Sequence, residues 1–346
     1  MKSENGVIGL KSSPSTGYVT ADDVATAAGV SRWTVNRAFK KDASISAAAR
    51  AKVLLAAETL GYVPDLRAAS LASDHSNLVA ILIDDFANPH KLVMLERLTR
   101  VLRGRGWDMM LVNTLDRDDA EPALMNARRR RVDATILIGI QFDDEVLEAA
   151  HKAQHFKKLI IFARSSENKD TISISVDDRA ATLEIAEYVR DRGYKTPFYL
   201  AGPRTNSAHL SRKETFLDFW AKEFGVTCDS VAVPAYDSIL AADIISETLS
   251  NKPENERPDI IVCENDALAL GAIDAIRHRL GLRVPDDIAV IGFDDVPQCE
   301  SPNYRLTTYR QPLMDMANYL VDVLESSENS QLDKTFMGRL VVRESA

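Results

Sequence analysis

Residues 20–62 read TADDVATAAGVSRWTVNRAFKKDASISAAARAKVLLAAETLGY. Thr20 can cap a first helix, and Asp22 and Asp23 fall in its first turn, where the helix dipole favours acids. Ala27, Ala28, Gly29 and Val30 make a turn. Ser31 caps a second helix through about Phe39. Ser46 caps a third that runs to about Leu60 and is ended by Gly61. Two helices joined by a turn of about three or four residues that includes a Gly have helix-turn-helix spacing. Val24, Val35, Ala38, Val53 and Leu60 recur at helical spacings and are the expected core.

The second helix carries Arg32, Trp33, Thr34, Asn36 and Arg37 near its start, the end that enters the major groove in this motif. Arg can fork onto guanine and Asn onto adenine. An alanine-rich triple helix with a solvated charged face would need no partner at all. Charge favours the nucleic-acid reading. From Arg32 to Lys52 there are six Lys or Arg against one acid, Asp42, in a chain of net charge −9. A local positive face on an acidic protein is the footprint of DNA contact.

The stretch VATAAGVSRWTVNRAF, the third helix, GYVPD, and RAASLAS at 67–73, in that order and spacing, resemble the LacI family of bacterial transcription regulators. The resemblance extends over nearly the whole chain. It implies DNA contact from Thr20, Ser31, Arg32, Trp33, Thr34, Asn36 and Arg37. It also implies that residues 63–77 are a hinge helix that orders on DNA, with Ala68 packing against its symmetry mate and Leu71 wedging into the minor groove. Read alone, those residues are a linker, because two helical turns are marginal in water. Asn36 stands where the family often has Ser, and Trp33 where it has a smaller or polar residue. Both lie on the reading face, so no relative's operator sequence transfers.

At 346 residues with 45% hydrophobic and 27% charged residues, the chain has room for two or three domains and a sizeable core. No apolar stretch reaches membrane-spanning length. Residues 1–17 read as a flexible leader without the apolar core of a signal peptide. Cys228, Cys263 and Cys299 are scattered, lack C-x-x-C spacing and suit a reducing cytoplasm as small buried side chains.

From Leu78 the pattern changes to apolar runs, LVAILID, DMMLVN, ATILIG, KLIIFA, FYLA, DIIVC and IAVIGF, separated by amphipathic helices. Strands apolar throughout and alternating with helices predict doubly wound parallel sheets. A split near Ser175–Asp178 gives two α/β lobes, about 78–176 with 308–335 and about 177–307 with 336–346. Leu306 to Pro312 and the helix after it are expected to return to the first lobe. Arg339 to Arg343 is expected to pair in the second. The resemblance implies the same architecture: an all-α helix-turn-helix head at 18–62 and a two-lobed periplasmic-binding-protein-like domain at 78–346, with a ligand cleft and three crossings between lobes.

Ligands in such sheets lie beyond the carboxyl ends of the strands. The residues just past each run are Phe86, Asn88, Arg164, Arg212, Tyr236, Asn265 and Asp294, with His209, Asp266 and Asp295 beside them. An aromatic face with Asp, Asn and Arg suits a sugar-like ligand. Several have structural alternatives. Asp266 is expected to cap its helix, Asn88-Pro89 can start one, and Phe86 and Tyr236 can be ordinary core or rim aromatics. His90 replaces a family Phe, and Ala163 stands where many sugar-binding members have Asp.

Catalysis finds no support: G-x-G-x-x-G after a strand, P-loop, H-E-x-x-H and G-x-S-x-G are all missing. His151 and His155 lack a third ligand, so no metal and no cofactor is expected. Arg128 to Arg131 reads as a solvated helix end. The sequence therefore predicts a cytoplasmic, homodimeric transcription regulator, a repressor, that binds operator DNA and a small sugar-like effector. The alternatives are a regulator with a non-carbohydrate effector and a solute-binding protein of the same fold, which would lack the head. An enzyme with a helical appendage would carry a catalytic constellation.

Overall fold

The computed structural model describes residues 18–40, 43–64, 75–114, 116–140, 142, 147–148, 157–203, 211–327 and 332–346. The chain divides into two units, Met1–Ser76 and Asn77–Ala346. The hinge residues Ala68 and Leu71, together with His151, His155 and His209, lie outside the described residues.

The first unit has three helices, α1 (Ala21–Ala28), α2 (Arg32–Ala38) and α3 (Ala47–Leu60). Thr20 and Asp23 form a reciprocal capping box, Ser31 accepts from the Thr34 amide at 3.2 Å, and Ser46 accepts from the Ala49 amide at 3.2 Å. Gly29 and Gly61 end α1 and α3 in the left-handed conformation that glycine adopts without strain. Val24, Val35, Ala38 and Val53 are buried, joined by Ala25 and Ala57. Leu60, expected in this core, is 37% exposed instead. Tyr62, two residues on, packs against this core and lies 5.7 Å from the Phe39 ring, centroid to centroid. The Arg50 guanidinium binds the carbonyls of Ala38, Lys40 and Ala43 and so holds the end of α2 against α3.

The second unit holds two six-stranded sheets. In chain order its elements are β1 (Leu78–Ile83), α4 (Pro89–Gly104), β2 (Asp108–Asn113), α5 (Arg117–Arg129), β3 (Ala134–Ile138), β4 (Leu159–Phe162), β5 (Ile172–Val176), α6 (Asp178–Asp191) and β6 (Pro197–Ala201). Then come α7 (Arg212–Phe224), β7 (Asp229–Ala232), α8 (Ser238–Ser250), β8 (Ile260–Cys263), α9 (Asp266–Asp274), β9 (Ala289–Asp294), β10 (Thr307–Arg310), α10 (Leu313–Glu325), β11 (Lys334–Phe336) and β12 (Arg339–Val341). The first sheet has order β11-β5-β4-β3-β1-β2 and the second β12-β10-β9-β8-β6-β7. Every pairing is parallel except β10 with β12.

The apolar runs explain the layering. In β1, Val79, Ile81 and Ile83 pack into one core cluster while Ala80 and Leu82 pack into another on the opposite face. A strand covered on both sides needs an apolar residue at every position. Helix α10 packs on α4, and Leu320 and Leu98, both fully buried, belong to the same core cluster. Each such leucine contributes about 1.5–3 kcal/mol by leaving water.

One of two expectations about the lobes changes. Ile172–Val176 is the last strand of the first sheet before the chain passes to the second lobe, which agrees with the split expected near Ser175–Asp178. The return to the first lobe, expected at about 308, comes later. Thr307–Arg310 pairs in parallel with β9, so the chain crosses only after Arg310. Thr307 and Thr308 are completely buried, and their β-branched side chains fit the inside of a sheet.

Candidate functional site

In the head, α2 presents its reading residues to solvent. Trp33 is 63% exposed and Asn36 is exposed, while Val35 and Ala38 face the core. Four residues along the helix, the Arg37 guanidinium lies 4.5 Å from the Trp33 ring centroid, and its Nε donates to the Ser44 carbonyl at 3.2 Å. Arg37 is thereby held before any ligand arrives. Arg32 is paired with Asp22 at 3.2 Å. Both partners are exposed, so the pair is easily exchanged. Thr20 is occupied by its capping box, and the hydroxyls of Ser31 and Thr34 lie 2.9 Å apart. Arg50, counted by sequence in the positive face, instead binds the three carbonyls named above.

In the second unit, the carboxyl ends of the strands surround a cleft of about 390 Å³, partly open to solvent. From the first sheet come Asn88, His90, Lys91, Gly139, Phe162, Ala163 and Arg164, and from the second Arg212, Tyr236, Asn265, Asp294 and Gln311. Six of the seven residues expected from sequence line it. Phe86 does not: it is 38% exposed and sits in the turn before α4, outside the lining.

Helix starts position much of this polar wall. Asn88 caps α4 by accepting from the His90 amide at 3.0 Å. Asn265, not Asp266, caps α9, accepting from the Leu268 amide at 3.1 Å. Asp266 is one residue inside the helix and completely buried. It accepts from the Thr308 hydroxyl at 2.6 Å, the Val296 amide at 2.9 Å and the Cys299 thiol at 3.1 Å. Burial first, then the charge of Asp294, pushes the Asp266 carboxyl up to about 7, against the pull of these donors. Gly292 leaves room for it, since a Cβ there would fall 2.2 Å from its Oδ1.

The cations of the cleft differ in their compensation. Lys91 donates to Asp84 at 3.0 Å, with burial drawing the lysine pKa down against that pairing. Arg212 donates through Nε to Asp178 at 2.6 Å and through Nη1 to the Glu264 carbonyl at 2.9 Å, and it lies 3.5 Å from the Phe293 ring centroid. Burial disfavours its charge, yet Asp178 and Asp294 prevail and raise its pKa. Asp178 is itself raised, by burial, with Arg212 opposing. Arg164 is 8% exposed and has neither hydrogen bond nor ion pair among the described residues, and its Nη1 is buried without a partner.

The remaining polar groups form a chain. Gln311 Nε2 donates to Asp294 at 2.7 Å and lies 3.2 Å from His90 Nε2. Burial lowers the His90 pKa, which favours the neutral ring. With Nε2 accepting from Gln311, the ring proton belongs on Nδ1. His90 Nδ1 and Gln311 Oε1 are both buried and unpartnered among the described residues. The Tyr236 hydroxyl bonds to Glu264, and Gly202 clears space for its ring. Ala163 (φ 65°) and Asp294 (φ 121°) hold backbone angles that side chains rarely adopt, which is where binding sites store strain.

Lys91, His90 as a lining residue, and Gln311 were not assigned to the site from sequence. His90 and Lys91 lie two and three residues past Asn88, so the strand-end rule stopped short of them. Gln311 was missed because its segment was placed in the other lobe. Asp295 pairs with Arg310 and with Arg343, the latter at 2.7 Å, and does not line the cleft. Among the described residues no cluster of His, Cys, Asp or Glu is placed to hold a metal, and no helix is long and apolar enough to cross a membrane.

Comparison with known proteins gives these two parts a common context. Residues 20–65 match the bacterial regulatory proteins of the lacI family, and residues 186–346 match the periplasmic binding protein-like domain. The chain is 28% identical to catabolite control protein A of Priestia megaterium over 319 residues, covering 90% of this chain and 93% of that one. It is 27% identical to the HTH-type transcriptional repressor PurR of Serratia proteamaculans over 320 residues, again 90% and 93%. In fold it resembles the lac repressor dimer bound to operator and the anti-inducer ONPF, with TM-score 0.82, 24% identity, and coverage of 95% of this chain and 99% of that chain. These relatives are transcription regulators, not enzymes, and the chain belongs to the LacI family of DNA-binding transcription regulators.

Proposed function

We propose that this regulator is a homodimeric repressor whose operator affinity is set by a small molecule held between its two lobes. Each head would place α2 in the major groove of one half of a palindromic operator, since two-fold symmetry in the protein calls for two-fold symmetry in the site. Trp33, Asn36 and Arg37 would meet base edges, with Thr20, Ser31, Arg32 and Thr34 at or beside the backbone. Ala68 and Leu71 would form the hinge pair. In the cleft, Asn88, Arg164, Arg212, Tyr236, Asn265 and Asp294 would hold a polyhydroxy effector.

One observation carries this reading above all. A recognition helix with a pre-positioned arginine and a polar cleft with unpartnered buried groups occur in one chain. A solute-binding protein would have no use for the first, and a constitutive DNA-binding protein no use for the second. Fluorescence anisotropy of the full chain on its native promoter fragment, with and without a panel of sugars and sugar acids, tests it. The expected result is salt-sensitive binding that one compound shifts at least fivefold. Promoter binding no tighter than binding to unrelated DNA would refute the regulator reading.

A further inference from the structure

Arg164 lies two residues past β4 at the cleft wall and is the one cleft cation, among the described residues, without a direct ion pair, while the carboxyls of Asp85 and Asp178 feel its charge only through space. Lys91 is matched by Asp84 at 3.0 Å and Arg212 by Asp178 at 2.6 Å. Asp294, the carboxylate that lines the cleft, is engaged by Gln311 at 2.7 Å and makes no ion pair with Arg164. An unpaired guanidinium that is nine-tenths buried is a costly arrangement. It persists in an acidic chain of net charge −9, where carboxylates are plentiful. Its donors are open to a negative group from outside the chain.

We propose that the effector is a small polyhydroxy monocarboxylate, an aldonate or uronate, whose carboxylate is bound by Arg164. This deepens the functional reading above and rests on the cleft being the effector site. A guanidinium presents two parallel N–H donors that match the two oxygens of a carboxylate. A phosphate ester would bring close to two charges at neutral pH, and only one cation of the cleft lacks a direct ion pair. The rest of the ligand is indicated by the other unpartnered groups: Gln311 Oε1 accepts from a hydroxyl and His90 Nδ1–H donates to one. Asn88 and Asn265 have their side-chain oxygens committed to helix caps, which leaves their NH₂ groups as donors.

The test is titration calorimetry of the full chain with gluconate, glucuronate and galacturonate. Each is set against its neutral counterpart, sorbitol, glucose or galactose, and against glucose 6-phosphate, at one ionic strength. At least one acid should bind tenfold or more tightly than its neutral counterpart. Arg164→Gln should remove that advantage, and Arg164→Lys should keep part of it. The unliganded Arg164→Gln protein should melt no lower than the parent, because it loses a buried charge that had no partner. The proposal is overturned if a neutral sugar binds as tightly as its acid, if the phosphate ester binds best, if none of the acids binds, or if Arg164→Gln leaves acid binding unchanged. Acid binding that depends on Arg164 but never alters operator affinity would leave the carboxylate site standing and refute the effector reading instead.

Discussion

Gly139 shows how closely the cleft is fitted around single atoms. Its φ is +150°, and a Cβ there would fall 2.0 Å from Asp84 Oδ1. That carboxylate receives Lys91 and also the Ile140 amide at 2.6 Å. Gly139→Ala should therefore displace Asp84, leave Lys91 buried beside a shifted partner, and lower stability by about 2–4 kcal/mol, a large single-site effect. Denaturant unfolding measures this directly, and a loss below about 0.5 kcal/mol would mean that the turn has more freedom than its geometry indicates. Trp33 is the corresponding residue on the DNA side. Its ring holds Arg37 at 4.5 Å, and an exposed cation–π contact contributes about 0.5–1 kcal/mol. Trp33→Ala should weaken operator binding by about twofold to fivefold through the loss of that positioning alone, and by more if the ring also touches a base. Anisotropy on the promoter fragment settles it. Unchanged affinity would mean that Arg37 needs no prior support.

At the scale of elements, the Asp266 network joins three of them: the start of α9, the segment after β9 and strand β10. Thr308 donates at 2.6 Å to a carboxyl whose pKa burial pushes up to about 7. The hydroxyl bond favours the charged form, so losing it raises the folded-state pKa further. A raised folded-state pKa means that stability is present at low pH and lost as pH rises through about 7. Thr308→Val should accordingly destabilise the protein more at pH 8.5 than at pH 5.5, with a loss of about 1–3 kcal/mol at the higher pH. Melting curves at both pH values test the sign, and an equal loss at both would show that Asp266 does not change charge in this range. The same elements show what sequence can reveal. Strands such as β1 and β8, apolar at every position, were plain because burial on both faces leaves no polar position. Strand β5, ISISV, was not, because alternating serines look like a surface strand or a linker. Strand β10, TTYR, was read into the wrong lobe for a related reason: nothing in four residues specifies which of two similar sheets they join, and pairing with β9 decided it.

At the scale of the molecule, the site was legible where a rule of topology applied. Strand ends supplied Asn88, Arg164, Arg212, Tyr236, Asn265 and Asp294. What sequence could not supply was compensation: which cation already has a carboxylate and which lacks one. That depends on packing between segments far apart in sequence, as with Arg212 and Asp178. Charge, by contrast, is fully legible. Residues 1–76 carry nine Lys or Arg against seven Asp or Glu, and the rest of the chain 33 against 44. The attraction to DNA must then come from a few exposed head cations acting against an acidic remainder. Arg50 is bound to backbone carbonyls, which leaves Arg32, whose exposed pair with Asp22 is easily exchanged, and Lys40 and Lys52, exposed and without an ion pair, as phosphate contacts on each head among the described residues. In the proposed dimer that makes about six contacts, so log K should fall against log salt with a slope of about −5, or more steeply if further cations take part. Lys52→Gln alters both heads at once. It should flatten the slope by about 2 and weaken specific and non-specific DNA alike, because a phosphate contact carries no sequence information. Arg37→Ala should instead weaken the operator selectively and move the slope less. If Lys52→Gln reduced operator binding while sparing non-specific DNA, Lys52 would be a base reader. The positive face would then extend from α2 onto α3 as part of the recognition surface itself.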